Sequence, residues 1–595
     1  MKLENKLKEF FGYDNFKKGQ KEIIEKILER KDVLGILPTG GGKSICYQLP
    51  ALLMEGTCIV ISPLISLMKD QVDSLRSNGI NAYFINSSVE FEKSREIFSK
   101  IKKEDVKILY ISPERLENKF FREFVSGMKI SFVAVDEAHC ISQWGHDFRP
   151  SYKKIPSFYN CIRNEFAIAS FTATATENVK NDIIKNLKLK DPFIRVTGFD
   201  RENLYYSTEN PKDKFEFIIK EIKSNESGII YCSTRKNVEL VEKKLNKAGF
   251  KATKYHAGLN DSQKNKNQED FLFDRKNIMV ATNAFGMGID KSNVRFVIHY
   301  NMPKSMEEYY QEAGRAGRDG ENARCILLFN GQDIVTNKFL INESRNLNYI
   351  KTSMEKLSVI INYCNTSNCL RHFILNYFGE ESEEHCSNCS NCIDEIEKID
   401  VTVDSQKILS CIYRVNQMYG MTSIIDCLKG NYNLNVKNKK LNKLSTYGIM
   451  KNDPKEYIRD LIGHLVADGY IHVSNSEYPI LKLTNKSKEV LFESKKVLIN
   501  KKNKKEKSKK IIEDNFDINL FEKLKNLRLN LSKSRKVAPY IIFSDATLKD
   551  MSKKKPVNED EFLKVSGVGE KKLSMYGEFF LEEIINYKTS EKFSN

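Results

Sequence analysis

Short apolar runs and amphipathic stretches alternate from residue 1 to about 340. "GTCIVISP", "VKILYISP", "ISFVAVDE", "SGIIYCST", "NIMVATNA" and "VRFVIHYN" each read as a buried strand ending in a polar turn. Between them lie helical patterns such as "SLMKDQVDSLRSNG" and "RKNVELVEKKLNKAG". Continuous apolar strands alternating with helices predict parallel sheets covered on both faces. Ligands of such sheets sit at the carboxyl ends of the strands, where the polar motifs of this chain fall. Further on, Ile458, Leu461, Ile462, Leu465 and Val466 recur at helical spacing. That helix runs into "GYIHV", a polar tip at Ser474 to Glu477, and "YPILKLT". Helices followed by a hairpin suggest a winged helix.

Length divides the chain: 595 residues exceed one core, so several domains are expected. Hydrophobic residues at 41% and charged residues at 29% fit a globular protein. No apolar run reaches the ~18 residues of a membrane span. The charged start "MKLENKLKEFFGYDNF" has no signal-peptide core. An intracellular setting is expected, in which the 13 cysteines stay reduced. The net charge is +17, and Lys495 to Lys510 hold nine lysines against one acid. Such a run reads as a solvated linker that also attracts nucleic-acid backbones by counterion release. A nuclear signal is the competing reading of it.

"GILPTGGGKSICYQLP", Gly35 to Pro50, departs from the strict GxxxxGK[ST] pattern, with Leu37 at the first glycine position. Its chemistry is intact. Thr39, Gly40, Gly41 and Gly42 bring backbone N–H groups to a phosphate at a helix N-terminus. Lys43 reaches β- and γ-phosphates, and Ser44 suits magnesium. "FVAVDEAH" ends a strand with Asp136 for the magnesium shell and Glu137 for the attacking water. In "QEAGRAGRDG", Arg315 and Arg318 are three apart and share one face if helical. Fixed guanidiniums there suit the charge of a transferring phosphoryl group. Together these residues predict ATP hydrolysis with Mg²⁺.

Cys386, Cys389 and Cys392 follow at two-residue spacing, as around a tetrahedral zinc. Cys369, Cys364, His372 and His385 are candidates for the fourth ligand. An iron–sulfur cluster is the alternative, although Ile393 and Asp394 follow in place of a C-P signature.

These motifs, with "FGYDNFKKGQ", "SPLISLMKDQ", "SPERL", "FTATAT", "YHAGL" and "ATNAFGMGIDK", resemble those of the RecQ DNA helicases over nearly the whole chain. The resemblance implies a multidomain α/β protein. Residues 1–205 and 206–340 would form two RecA-like lobes, 341–399 a zinc-binding helical subdomain and 400–493 the winged helix. The lysine linker would take 494–512, and 513–595 a small helical bundle, the helicase-and-RNase-D C-terminal (HRDC) domain. Gln20 would read the adenine edge, and Lys17 stands where the family commonly has arginine. Cys369, Cys386, Cys389 and Cys392 would bind Zn²⁺, with Leu370 where arginine is common. The bundle turn "SGVGEKK" offers N–H groups and lysines to a phosphate, as auxiliary DNA binding.

By the same resemblance, ATP closes the lobes and the motor moves 3′ to 5′ along single-stranded DNA, unwinding duplex and forked DNA in repair and recombination. A monomer in the bacterial cytoplasm, at the nucleoid, is expected. Its winged helix would bind the acidic tail of single-stranded-DNA-binding protein. The hairpin tip is short and lacks an aromatic residue, which argues against splitting duplex there. An RNA helicase and a DNA-binding scaffold with little unwinding are the competing functions.

"VAVDEAHCISQWGHDFRP" holds the chain's only tryptophan. Its stretch after the acids resembles the family's aromatic-rich loop. Trp144 and Phe148 would stack on bases at about 1–3 kcal/mol each. His146 and Arg149 would add polar contacts. DNA on this loop would reposition Glu137 and so switch on hydrolysis.

Overall fold

The structure, a computed structural model, describes residues 2–63, 65–85, 97–101, 106–142, 148–162, 165–223, 226–285, 291–344, 346–366, 368–393, 395–467, 469–474, 480–493, 495–503, 516–535 and 537–594. Seven strands form the first sheet: β1 Val33–Ile36, β2 Thr57–Ile61, β3 Ala82–Ile85, β4 Ile108–Ile111, β5 Ile130–Val135, β6 Ala167–Thr172 and β7 Phe193–Val196. They lie in the order β3-β4-β2-β5-β6-β1-β7, with every pair parallel. β1, β2, β4, β5 and β6 are buried at every residue, as strands covered by helices on both faces must be.

The second sheet holds β8 Leu204–Glu209, β9 Gly228–Tyr231, β10 Ala252–Tyr255, β11 Ile278–Ala281, β12 Phe296–His299 and β13 Ala323–Leu328. Its order is β10-β11-β9-β12-β13-β8, again all parallel. Counted from its own first strand, this repeats the order of the first six strands of the other lobe. The two lobes are thus one topology used twice; the first offers the ends of β1 and β5 to the cleft between them, and the second the turn that precedes β13.

Helices Gly331–Asn342, Leu347–Asn365 and Leu370–Tyr377 follow, with a short turn at Ser390–Ile393. An isolated parallel bridge between Tyr206 and Cys389 seats this module on β8. Next come β14 Glu395–Asp400 and helices Thr402–Arg414, Met421–Lys429 and Lys455–Ala467, then the antiparallel hairpin of β15 Ile471–Val473 and β16 Leu481–Leu483. Ile458, Leu461, Ile462 and Leu465 are buried in the core of this winged helix. The tip from 475 to 479 lies outside the described residues.

Three expected boundaries fall inside elements: 205/206 in β8, 340/341 in helix Gly331–Asn342, and 399/400 in β14. Composition changes along the chain without marking where hydrogen bonding stops. The lysine-rich segment also starts differently from the expected linker. β17, Leu498–Asn503, pairs antiparallel with β14. Ile399 faces Ile499 in that register, and both pack against the winged-helix core. Burial of this apolar pair outweighs the solvation of neighbouring lysines. Residues 504–515 lie outside the described residues.

The C-terminal bundle runs from Ile518–Arg535 to Glu578–Ser594 around its own core. It contacts both lobes: Lys549 pairs with Glu321, and Gly569 lies against Gly12. In the "SGVG" turn, Ser566 N already donates to the Asp550 carboxylate at 2.8 Å, and Val568 is buried. This leaves fewer N–H groups for a phosphate than the sequence suggests. Among the described residues, no helix is long and apolar enough to cross a membrane.

Candidate nucleotide cleft and metal centre

β1 ends at Ile36, and the chain turns through Pro38 to Gly42 before helix Lys43–Leu53 begins. Gly41 N donates to Pro38 O at 2.8 Å, which tightens the turn. Gln20 is buried behind it. Its amide donates to Gly41 O at 3.2 Å and Gly42 O at 3.1 Å, while its oxygen accepts from Lys17 N at 2.8 Å. The group braces the phosphate loop. Gly42 takes a left-handed φ of 79°, which favours glycine, and a Cβ there would also sit 2.3 Å from the Gln20 amide. Lys17 takes a place in the cleft wall, with its ammonium on Gly40 O at 2.8 Å.

The acids arrive from the centre of the same sheet. Asp136 N donates to Ile61 O at the end of β2, and Tyr152 Oη donates to Asp136 O at 2.8 Å. Glu137 is left-handed, with φ 46°, an uncommon backbone for a residue with a side chain. This turn puts its carboxylate 3.9 Å from Lys43 Nζ and 3.3 Å from His139 Nδ1. Burial, then the neighbouring Glu137 charge, holds the Asp136 carboxyl above the usual carboxylate range. A divalent cation on that oxygen reverses such a shift, and the hard oxygens of Ser44 and Asp136 face one cleft. His139 Nδ1 also lies 2.9 Å from Thr172 Oγ1, which donates to Thr174 O at 3.1 Å. The acidic pair is thereby wired to "FTATAT".

Trp144 and His146 lie outside the described residues. Phe148 is partly buried, with the Lys153 ammonium 5.2 Å from its ring. Arg149 Nη1 donates to Pro63 O at 3.0 Å and its N–H to Cys140 O at 2.9 Å. The far side of this loop is therefore tied to the start of "SPLISLMKDQ".

Arg315 and Arg318 come from the other lobe, although not from one helical face. Helix Met306–Ala313 stops before them, and both sit in the turn that follows. Gly314 and left-handed Gly317 end the helix, and Gly317 N is drawn to Val294 O at 2.9 Å. Both arginines still line the same cleft of about 230 Å³ as Lys43, Ser44, Asp136 and Glu137. Tyr13, Gln71 and Gln311 also line it. All three were within reach of sequence reasoning, lying inside "FGYDNFKKGQ", "SPLISLMKDQ" and "QEAGRAGRDG".

The cysteines form a second centre. The sulfurs of Cys369, Cys386, Cys389 and Cys392 all lie within 4.8 Å of one another. Cys389 and Cys369 are 3.9 Å apart, and Cys386 and Cys392 4.0 Å. Four thiolates at about 2.3 Å from one ion make a tetrahedron with edges near 3.8 Å, so the set fits a single zinc and leaves no room for a multi-iron core. Backbone N–H groups of His372 and Asn388 donate to Cys369 and Cys386 at 3.4 Å, support suited to thiolates. The other candidates stand apart. His372 is bonded to Ser382, His385 to Ser387, and Cys364 lies outside the cluster.

Family models match in series along the chain: DEAD/DEAH box helicase at 17–182, helicase conserved C-terminal domain at 213–320, RecQ zinc-binding at 331–393, RQC domain at 395–508 and HRDC domain at 517–584. The chain is 44% identical over 589 residues to the ATP-dependent DNA helicase RecQ of Bacillus subtilis (strain 168), covering 98% of this chain and 99% of the relative. The Haemophilus influenzae protein of that name is 39% identical, with 98% and 95% covered, and that of Pasteurella multocida 38%, with 97% and 93% covered. A two-lobed ATP cleft, a four-thiol centre and a winged helix in this order, matched end to end by these relatives, place the chain in the RecQ family of ATP-dependent DNA helicases.

Proposed function

We propose that this chain hydrolyses ATP to move 3′ to 5′ along single-stranded DNA and to unwind duplex, forked and recombination-intermediate DNA. The observation that carries the reading is the convergence of Lys43, the Asp136–Glu137 pair and both arginines on one cleft between the lobes. Lys43 and the loop N–H groups bind the phosphates. Ser44 and Asp136 hold Mg²⁺, which supplies charge neutralisation when bound. Glu137, set between Lys43 and His139, orients the attacking water and accepts its proton. Arg315 and Arg318 meet the charge on the transferring phosphoryl group only when the lobes come together. The two lobes then shift along a DNA strand held mostly by its phosphates, so little sequence preference is expected. Zn²⁺ on Cys369, Cys386, Cys389 and Cys392 fixes the module seated on β8 and takes no part in the chemistry.

The finer parts of the reading are a role in repair and recombination, a monomeric state and work at the bacterial nucleoid. A further part is capture of the acidic tail of single-stranded-DNA-binding protein by the winged helix. Exposed Tyr432 and Leu434 beside Lys437 and Lys439 support that last contact. The deciding experiment measures ATP turnover without nucleic acid, with single-stranded DNA and with single-stranded RNA, then strand displacement on 3′- and 5′-tailed duplexes. Turnover stimulated by DNA above RNA, with displacement on 3′ tails, is expected. Equal turnover in all three conditions would sink the DNA motor, and displacement on 5′ tails alone would reverse the polarity.

A further inference from the structure

Arg201 belongs to none of the motifs above. It lies in the segment joining β7 to β8, between the lobes. Its Nη1 donates to Thr39 O of the phosphate loop and, at 3.4 Å, to Gly314 O. Its Nη2 donates to Ala316 O at 3.0 Å and Gly317 O at 2.8 Å. One guanidinium thus holds the backbone of the phosphate loop and the backbone of the turn bearing Arg315 and Arg318. Three of the acceptors, Gly314, Ala316 and Gly317 O, follow helix Met306–Ala313, where the negative end of the helix dipole favours a cation. A planar fork can serve several carbonyls at once, which an ammonium cannot do in the same geometry.

The seam is closely packed. A Cβ on Gly314 would lie 2.9 Å from Thr39 Cβ, and one on Gly40 3.0 Å from Arg201 Nη1. Asn203 adds bonds to Gly317 O at 2.9 Å and Glu321 O at 2.8 Å. Behind Arg201, the thiol module grips the segment. Arg371 donates to Arg201 O and Leu204 O, each at 2.7 Å, and pairs with Asp200. Asn388 donates to Glu202 O at 2.9 Å. The segment is therefore anchored on one side and directs a single cation into the seam.

We propose that Arg201 is a positioning residue for ATP hydrolysis: it sets the finger turn against the phosphate loop, so that Arg315 and Arg318 reach the γ-phosphate in the transition state. This rests on the reading of those two arginines given above. Arg201 itself acts through backbone carbonyls. Its loss leaves Lys43, Ser44 and the acids in place, so the cost falls on turnover rather than on nucleotide binding.

The test uses the full-length chain with Arg201→Ala, Arg201→Lys, Arg318→Ala and the Arg201→Ala/Arg318→Ala double variant. DNA-stimulated kcat, KM for ATP and binding of fluorescent ADP are measured. A fall of about 10²-fold in kcat is expected for both Arg201 variants, since small misplacements of a catalytic group cost that much. KM and ADP affinity should stay within about 3-fold, and the double variant within about 3-fold of Arg318→Ala alone, as residues acting through one another are not additive. Full kcat in Arg201→Ala, parallel loss of ADP affinity, or a fully multiplicative double variant would overturn the proposal. If Arg201→Ala does not fold, Arg201→Lys decides, because it keeps the charge and loses the fork. Unchanged kcat in Arg318→Ala would instead overturn the reading of the finger residues.

Discussion

The groups of the ATP cleft come together from Lys17, Lys43, Asp136 and Arg318, far apart along the chain, whereas Cys386, Cys389 and Cys392 arrive within seven residues. The cleft lies between two bodies, and its buried Asp136 carboxyl is held above its ordinary range. The thiol centre is small and closed, with backbone N–H groups already on its sulfurs. A site that must bind, react and release leaves charge unsatisfied until substrate and cation arrive. A site that only holds a fold satisfies its charge permanently. The two meet at the segment from Asp200 to Leu204, which the thiol module grips and the cleft uses.

Breaking the closed site should have the largest effect. Structural zinc contributes about 10–16 kcal/mol in small zinc domains. Cys389→Ala should lose the bound zinc equivalent and melt the module, while the lobes still bind ADP. A full zinc equivalent retained in that variant would remove Cys389 from the ligand set. Next is Lys43→Ala, for which turnover should fall by about 10²–10³-fold, as when one charge-stabilising donor is removed. Nucleotide affinity should fall with it, in contrast to the Arg201 variants. Normal turnover would mean that the phosphate site is misplaced.

A smaller effect is expected at the aromatic loop. Trp144→Ala should keep basal ATP binding and lose DNA stimulation, for a stacking contact worth about 1–3 kcal/mol. Undiminished stimulation would return Trp144 to a packing role. The smallest is a pH effect beneath the finger turn. Burial pushes Glu312 up to about 8 and His299, 2.9 Å away, down to about 3. The Glu312 contribution is full below the unfolded value of 4.5 and is lost as pH rises through 8. The His299 contribution is full above 6.5 and is lost as pH falls through 3. The thermal midpoint should therefore decline between pH 6.5 and 8, and Glu312→Gln should flatten that decline. An unchanged slope would place the sensitivity elsewhere.

Much of this was legible because it is local. All six apolar runs singled out in the sequence became strands, since burial on both faces requires an unbroken apolar run. "PTGGGKS" and "DEAH" sit at strand ends, as open parallel sheets demand. The departures share another cause. The brace that Gln20 gives the loop was not legible, because it depends on Gly42 leaving a gap that the Gln20 amide fills. Arg315 and Arg318 would share one face if helical, but helix Met306–Ala313 ends before them and both lie in the turn through Gly314 and Gly317.

By itself the sequence determined the strands, the phosphate loop, the acidic pair and three of the thiols, because spacing within a few residues dictates each of them. The RecQ resemblance added Cys369 and the module order. Tertiary structure sets Cys369 apart from Cys364, His372 and His385 by geometry, bringing its sulfur within reach of the others. It alone brought both arginines across to Lys43 and wedged Arg201 between Thr39 and Gly317. Those contacts join segments more than a hundred residues apart. They depend on how two sheets pack, which no periodicity along one chain encodes.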